Sequence, residues 1–220
     1  MSLTILGSPI SPFVRKVQIL LIEKQIDFEI EPVNPFSPPE DFRETSPLGK
    51  IPALRHDGRV VNDSSVICRY LERLHPSPAF YPDDPYECAR AEWIEEYVDG
   101  GFFPVAGPRV FGNLVLRPMM GGEADEEGAA KCVEEDLPEY FGYLDSQLGE
   151  SDYFVGDRFS IADLTVAAVF VNLRLAGVRP ERERWPKLNS FLSRIHSRPS
   201  FRQVVTPLVE GIGKRWVELD

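Results

Sequence analysis

Two serine hydroxyls, those of Ser8 and Ser11, stand in a short polar turn that the surrounding sequence places at the start of a helix. An apolar run at residues 3–6 predicts a strand before the turn, and an apolar-periodic segment over 12–25 predicts a helix after it. Ser11 is a typical N-cap residue, and Pro12 suits the first helical position because its missing N–H would have no partner there. The pattern therefore predicts a hydroxyl at the positive end of a helix.

The first turn of this helix is basic, since it contains Arg15 and Lys16. Acidic residues are usual there, because the unpaired N–H groups make this end of a helix electropositive. Helix stability alone does not favour two cations at this position, so the pattern indicates that an anion binds at the helix start. The alternative is that Ser11 only caps the helix and that the prolines only mark the bounds of the turn.

A second group of polar residues surrounds a predicted hairpin. Residues 51–55 have the pattern of a strand, but Pro52 cannot donate to a sheet ladder and must lie at an edge, in a bulge or in a cis peptide bond. The Asp-Gly pair at 57–58 is typical of a hairpin turn. Residues 62–64 are all of helix-capping types and precede an amphipathic pattern over 67–74, which predicts a second helix start.

The elements that must position these residues are predicted in the order strand, helix, strand, helix, hairpin, helix. Residues 27–31 alternate polar and apolar side chains, so we expect a half-buried strand there. A strand–helix–strand unit implies parallel strands joined by a crossover, whereas the hairpin adds antiparallel strands. We therefore expect a small mixed α/β sheet with helices, which is the thioredoxin-like arrangement.

Strand patterns end in a proline-rich connector, and the rest of the chain has helical patterns. Glycine and proline are frequent in segment 100–122, which predicts that helix there is broken or kinked. The clearest helix start lies further on, where Ser160 and Asp163 have the spacing of a capping box. The predicted organisation is a thioredoxin-like α/β domain at 1–76, a linker at 77–86 and an all-α domain at 87–220.

Charge and composition argue against several classes of function. The net charge of −11 opposes binding to nucleic acid or to an anionic membrane, because both require Lys and Arg to neutralise phosphates. We find no apolar run long enough to span a bilayer and no signal-peptide pattern at the N-terminus. Cys68, Cys88 and Cys132 are scattered, and the three histidines lack metal-ligand spacing. We expect a cytoplasmic protein without a structural metal or a disulfide framework.

Four segments together resemble the soluble glutathione transferases, over nearly the whole chain and in particular their serine-type, bacterial-like members. Each segment is weakly specific alone, but four in the right order with plausible gaps are strongly specific. The resemblance implies a thioredoxin-like domain that binds glutathione, an all-α domain that shapes the pocket for a second substrate, and a homodimer. The segments are residues 11–17, 46–54, 62–67 and 159–163.

The resemblance also implies which side chain meets the glutathione thiol. The family holds this thiol at the start of the first helix through a tyrosine, serine or cysteine side chain. Residues 11–14, Ser-Pro-Phe-Val, are similar to the C-P-x-C motif of glutaredoxins with serine in place of the first cysteine. Ser11 is therefore the candidate catalytic residue, and Ser8 is the alternative.

The rest of the tripeptide is assigned by the same resemblance. Ile51 stands where the family pairs backbone groups with the cysteinyl part of glutathione, and Pro52 then follows a cis peptide bond. Lys50 matches a position that binds the glycyl carboxylate. Asp63 and Ser64 stand where the family has a Glu-Ser pair for the γ-glutamyl end. Lys50 and two helix N-termini also supply the local positive groups that an acidic chain needs in order to hold carboxylates.

The expected activity is conjugation of the glutathione thiolate to a small hydrophobic electrophile. Glutathione would be a co-substrate and no metal would take part. The alternative is a non-catalytic glutathione- or ligand-binding protein, or a regulatory interaction protein, of the same fold. A cysteine-type thiol transferase is disfavoured because no cysteine stands near Ser11. Expected partners are glutathione, the electrophile and a second copy of the chain, with neither nucleic acid nor membrane.

Overall fold

The computed structural model describes residues 2–219, which form two compact units. The first unit ends at Phe80 and the second begins at Tyr81. All strands found in the described range belong to the first unit, and the second is helical. The sequence-based domain bounds, with a linker at 77–86, stay a prediction.

The first unit is a four-stranded mixed sheet in the order β2-β1-β3-β4 with three helices. Strand β1 pairs with β2 in parallel, and β3 is antiparallel to both β1 and β4. Asp57 and Gly58 have φ values of 46° and 78°, as a tight hairpin turn of type I′ requires. The predicted thioredoxin-like arrangement is confirmed. Its elements are β1 (Leu3–Gly7), α1 (Pro12–Glu23), β2 (Glu29–Pro32), α2 (Phe42–Thr45), β3 (Ala53–His56), β4 (Arg59–Asn62) and α3 (Ser64–Leu74).

The register of the strands brings three connecting segments to one end of the sheet. Leu6, near the end of β1, pairs with Ala53 at the start of β3. Ala53 in turn pairs with Asn62, the last residue of β4. The turn after β1, the residues before β3 and the residues after β4 therefore leave the sheet at the same end. These segments, residues 8–11, 50–52 and 63–64, contain every predicted glutathione-binding residue.

The edge strand β2 differs from its prediction. All four of its residues are exposed, including Ile30 at 41%. The alternating pattern at 27–31 had predicted a half-buried strand, and that prediction is wrong because β2 lies at the edge of the sheet with both faces open to solvent.

The second unit packs its helices around α9, whose fifteen residues are all buried. Phe170 of α9 stacks on Phe102 with ring centroids 5.2 Å apart, and Phe141 lies 5.6 Å from Phe170. None of the helices described is both long and apolar enough to cross a membrane. The α-helical elements are α4 (Pro85–Glu96), α5 (Phe103–Ala106), α6 (Arg117–Met119), α7 (Glu126–Lys131), α8 (Leu137–Leu148), α9 (Ile161–Leu175), α10 (Pro186–His196) and α11 (Pro199–Ile212).

The glycine- and proline-rich segment 100–122 is more regular than predicted. Helical structure continues without interruption from α4 through α6, because two π-helical stretches, Tyr97–Phe102 and Gly107–Leu116, join the α-helical pieces. A third π-helical stretch, Cys132–Asp136, joins α7 to α8. A π-helical turn contains one more residue per hydrogen-bonded ring than an α-helical turn, so the helix becomes locally wider. The helix therefore continues through the segment that contains the prolines. The predicted break therefore comes only after Met119.

Candidate functional site

Ser11 is the N-cap residue of α1, but its side chain does not cap the helix. Its backbone is extended, with φ −76° and ψ 127°, and its N–H donates to the Ser8 carbonyl at 3.0 Å. The hydroxyl is half-buried and makes no hydrogen bond within residues 2–219. The alternative in which Ser11 serves only as a side-chain cap is therefore not supported, and its hydroxyl is available to a ligand.

The Ser8 hydroxyl is also half-buried and likewise makes no hydrogen bond with any described residue. Its position differs from that of Ser11, because it precedes the helix by a full turn of chain. Only Ser11 is adjacent to the first N–H groups of α1, where the helix terminus favours negative charge. Geometry thus favours Ser11 without removing Ser8 as the alternative.

An anion site at the end of the helix would require the two cations of its first turn to face solvent. Both cations are buried instead. Arg15 is fully buried, and its Nη1 donates to the carbonyls of Pro9 and Ile10 at 2.6 and 3.2 Å. Burial lowers the pKa of Arg15 to about 9, so the guanidinium is still charged at neutral pH. Lys16 is buried as well, and its ammonium donates to Ser65 Oγ at 3.2 Å. Arg15 therefore holds the turn before α1, and Lys16 connects α1 to the first turn of α3.

The segment before β3 contains the predicted backbone site. The Ile51–Pro52 peptide bond is cis, which confirms the expectation drawn from the family resemblance and is one of the three arrangements that the strand pattern allowed for Pro52. The N–H and C=O of Ile51 make no hydrogen bond to other described residues, so both are open to an extended peptide. Lys50 is exposed, and its ammonium has no hydrogen bond or ion pair in the described chain. Its carbonyl accepts from Ser46 Oγ at 2.7 Å, which holds the segment in place.

Asp63 and Ser64 form the start of α3. Asp63 Oδ1 accepts the backbone N–H groups of Ser65 and Val66 at 3.0 and 3.2 Å. The φ of Asp63 is 74°, a conformation that is costly for a residue with a Cβ and that often marks a functional site. Ser64 is 3% exposed. This strained corner holds the two side chains at the electropositive end of α3.

The three segments lie at one end of the sheet, and together they make the candidate site for an extended ligand with negative groups. Two helix N-termini, those of α1 and α3, point partial positive charge toward it, and Lys50 adds a full charge on its rim. The described residues contain no cluster of His, Cys, Asp and Glu that could hold a metal ion. The arrangement can bind carboxylates and can donate a hydroxyl hydrogen bond from Ser11, but its own residues include no thiol.

Residues that support the site were missed by sequence reasoning. The contact between Lys16 and Ser65 and that between Asn62 Nδ2 and the Thr45 carbonyl, at 3.0 Å, link elements far apart in the chain. No local pattern identifies such partners. The one available signal for Lys16 was its unusual sign in a first helical turn, which indicated a special role but not the nature of that role.

Comparison with known proteins shows which family this chain matches. The N-terminal domain model of glutathione S-transferases matches residues 5–79, and the corresponding C-terminal domain model matches residues 115–204. Glutathione S-transferase 3 of Zea mays is 31% identical over 94% of each chain. Maleylacetoacetate isomerase of Rattus norvegicus is 32% identical over 71% of each chain.

A solved structure shows the same relationship. The glutathione S-transferase of Methylobacterium radiotolerans, crystallised in complex with glutathione sulfonate, is 29% identical to this chain. The two superpose with a TM-score of 0.76 over 93% of this chain and 95% of the other. Both units of the chain thus match parts of one two-domain architecture.

Proposed function

This chain belongs to the glutathione S-transferase family, and we propose that it is a serine-type member that joins glutathione to an apolar electrophile. The observation that carries the proposal is the Ser11 hydroxyl, half-buried at the start of α1 and without a hydrogen bond in residues 2–219. A hydroxyl so placed is free to donate to a thiolate that is held at the helix terminus.

Glutathione in the proposed complex lies across the end of the sheet. The γ-glutamyl carboxylate lies at the start of α3, at Ser64, and the ammonium lies beside Asp63. Oδ1 of Asp63 also accepts the backbone N–H groups of Ser65 and Val66. The cysteinyl part pairs with the open backbone groups of Ile51 beside the cis Pro52. The glycyl carboxylate meets Lys50. This orientation places the thiol at the β1–α1 turn.

The role of Ser11 is to make the thiolate available at neutral pH. A free thiol has a pKa of about 8.5, so only a few per cent of it is ionised at pH 7. A hydrogen bond to a charged group contributes about 1.5–3 kcal/mol, and a helix terminus adds about 0.3–1 kcal/mol. Since one pKa unit is about 1.4 kcal/mol, the two effects lower the thiol pKa by about one to three units. The thiolate then becomes a large fraction of bound glutathione.

The chemical step needs no further base. With 1-chloro-2,4-dinitrobenzene as electrophile, the thiol first loses its proton to solvent. The thiolate sulfur then attacks the carbon that bears chlorine, a C–S bond forms, and the C–Cl bond breaks with chloride as the leaving group. Ser11 keeps its own proton throughout and withdraws its hydrogen bond from the sulfur as the charge there is lost.

We also infer that the protein is a cytoplasmic homodimer. The family resemblance implies the homodimer, and each unit has exposed apolar side chains that are available to an interface, including Leu48 at 76%, Tyr86 at 71% and Trp93 at 53%. No disulfide joins cysteines of the described chain, which suits a reducing compartment.

The test combines glutathione binding by calorimetry with turnover of 1-chloro-2,4-dinitrobenzene. Binding with turnover, and a large loss of turnover in Ser11→Ala, supports the proposed enzyme. Binding without turnover of any electrophile supports the non-catalytic alternative. Because one relative is named maleylacetoacetate isomerase, that substrate belongs in the panel. A protein that does not bind glutathione at all contradicts both proposals.

A further inference from the structure

Arg15 occupies an unusual position for an arginine. It lies in the first turn of α1, where a cation is unfavourable for the helix, and its side chain is fully buried. Arginine is almost never fully buried unless its guanidinium has partners. Two of these partners are the carbonyl groups of Pro9 and Ile10, which accept from Nη1 at 2.6 and 3.2 Å. They directly precede Ser11, the candidate catalytic residue, and so connect it to the buried cation.

Hydrogen bonds hold both peptide groups that flank the Cα atom of Ser11. The peptide group before it is held at both ends, because the Ile10 carbonyl accepts from Arg15 Nη1. The N–H of the same peptide group, which belongs to Ser11, donates to the Ser8 carbonyl at 3.0 Å. In the peptide group after it, the Ser11 carbonyl accepts the backbone N–H of Arg15 at 3.1 Å. Arg15 therefore contacts both groups, once with its side chain and once with its backbone.

The two peptide groups determine where the Ser11 hydroxyl can lie. Their orientation sets φ and ψ of Ser11, which are −76° and 127°. These angles fix the direction of the Cβ atom, so that only rotation about χ1 remains for the hydroxyl. Since the hydroxyl makes no hydrogen bond within residues 2–219, the backbone alone directs it. The side chain of Arg15 thus controls the placement of the hydroxyl.

Lys24, at the other end of α1, makes contacts of the same kind far from Ser11. It is 5% exposed, and its ammonium donates to the carbonyls of His75 and Pro78 at 2.7 and 2.8 Å. It also pairs with the Glu72 carboxylate at 2.7 Å. Lys24 therefore supplies a matched control for the loss of a buried cation that holds two backbone carbonyls.

We propose that Arg15 is a positioning residue for the Ser11 hydroxyl, which it directs at the thiolate of bound glutathione by holding the carbonyls of Pro9 and Ile10. The proposal rests on the proposed function. A hydrogen bond weakens steeply as its angle departs from linearity, so a small rotation of the peptide group before Ser11 would weaken the bond to the thiolate. Arg15 has other interactions as well, so its loss also costs stability, and the test must separate the two effects.

The experiment is a double-mutant cycle on the pKa of the bound glutathione thiol, measured by thiolate absorbance. The four proteins are the wild type, Arg15→Met, Ser11→Ala and the double variant. Arg15→Met should raise the thiol pKa by about 0.5–1 unit, which is part of the effect of losing one hydrogen bond to a charged group. In the Ser11→Ala background the same change should raise it little further, because the hydroxyl that Arg15 positions is absent. Glutathione affinity, measured by calorimetry, should change little.

The coupling distinguishes positioning from two other effects of Arg15. Loss of its positive charge could raise the thiol pKa directly, but that effect would persist in the Ser11→Ala background. General destabilisation is measured by Lys24→Met, which should unfold at a lower temperature than the wild type and leave the thiol pKa unchanged. In a Ser8→Ala background, Arg15→Met should keep its full effect on the thiol pKa.

The possible failures are distinct. If the wild type does not bind glutathione, or if Ser11→Ala leaves the thiol pKa unchanged, the proposed function or its assigned serine fails and this proposal fails with it. If Ser11→Ala shifts the pKa but Arg15→Met does not, or shifts it equally in both backgrounds, only this proposal is overturned. If Arg15→Met does not fold, Arg15→Lys decides the question. It keeps the charge, but its nitrogen lies one bond nearer the backbone, so a shift that depends on Ser11 is expected again and its absence would overturn the proposal.

Discussion

Gly7 at the end of β1 and Val14 in α1 approach so closely that a Cβ atom on Gly7 would lie 2.6 Å from Val14 Cγ2. Val14 is fully buried, and a valine in a helix has one strongly preferred χ1, so its methyl group cannot turn away. The same Cβ would lie 3.4 Å from Ile51 Cβ. Gly7 thus allows α1 and the Ile51–Pro52 segment to approach the end of the sheet together.

Gly7→Ala is expected to destabilise the protein by about 1–3 kcal/mol, as overpacking of a core usually does, and to weaken glutathione binding by displacing α1. Val14→Ala removes the methyl groups that the new Cβ would meet. The double variant should therefore be less destabilised than the sum of the two single variants. Urea unfolding of the four proteins measures this coupling, and strictly additive losses would show that the contact is unimportant. Gly211→Ala, in α11 with no heavy atom within 4 Å of the new Cβ, serves as the neutral control.

Lys50→Ala should weaken glutathione binding more than it lowers turnover at saturating glutathione, because a remote carboxylate is held alike in ground and transition states. Lys50 is exposed, so the loss should be about twofold to fivefold, and it should shrink with added salt. Dissociation constants at two salt concentrations measure it. Lys131→Ala, which removes another exposed lysine, is the control. An equal loss with γ-glutamylcysteine, which lacks the glycyl group, would contradict the assigned role of Lys50.

Local patterns were sufficient for the order of the elements in the first unit, whereas the roles of the predicted site residues stay predictions. The hairpin followed from Asp57 and Gly58. The missing N–H of Pro52 inside a strand pattern limited it to an edge, a bulge or a cis bond, and the family resemblance implied the cis bond that is present. In both cases the covalent chemistry of one or two residues limits the backbone to few conformations. Strand register then brings the predicted residues to one end of the sheet.

Burial on more than one side could not be predicted from the same patterns. The periodicity of α1 indicates one apolar face, yet Arg15, Lys16 and Gln18 are buried as well, while Phe13 on the predicted face is only half-buried. What covers a helix depends on elements distant in the chain, here α3 in particular. For the same reason the sequence could not reveal that the Ser11 side chain makes no capping hydrogen bond to the start of α1.

Asp163 should make the stability of the protein depend on pH in an unusual direction. Its carboxylate is fully buried and accepts from Ser160 N, Ser160 Oγ and Phe154 N at 2.8, 2.8 and 2.9 Å. Burial raises its pKa to about 6, against the lowering effect of these hydrogen bonds. The folded state then keeps this proton up to a higher pH than the unfolded state does, so the contribution of Asp163 to stability falls as pH rises from about 4 to about 6.

The comparison with Asp163→Asn isolates this contribution, since asparagine does not titrate. The unfolding free energy of the wild type relative to this variant should fall by about 2 kcal/mol between pH 4 and pH 7, at about 1.4 kcal/mol per pKa unit. Chemical denaturation across that range measures the difference. Ser160→Ala keeps the carboxylate and removes a hydrogen bond that lowers its pKa, so the pH dependence should persist and become larger, while loss of the hydroxyl donor costs about 1 kcal/mol or more of stability. A difference that is flat with pH would show that Asp163 is ionised throughout.

Ser11→Ala should raise the pKa of the bound glutathione thiol by about one to two units, the equivalent of one lost hydrogen bond to a charged group. Turnover at neutral pH should fall by about tenfold to a hundredfold while glutathione affinity changes little, and part of the loss should return at high pH, where the thiol ionises unaided. The measurements are thiolate absorbance and turnover as functions of pH. Ser8→Ala is the matched control and should shift neither profile. A large shift in Ser8→Ala with none in Ser11→Ala would reassign the catalytic role to Ser8, and no shift in either would leave the thiolate to backbone N–H groups and the terminus of α1.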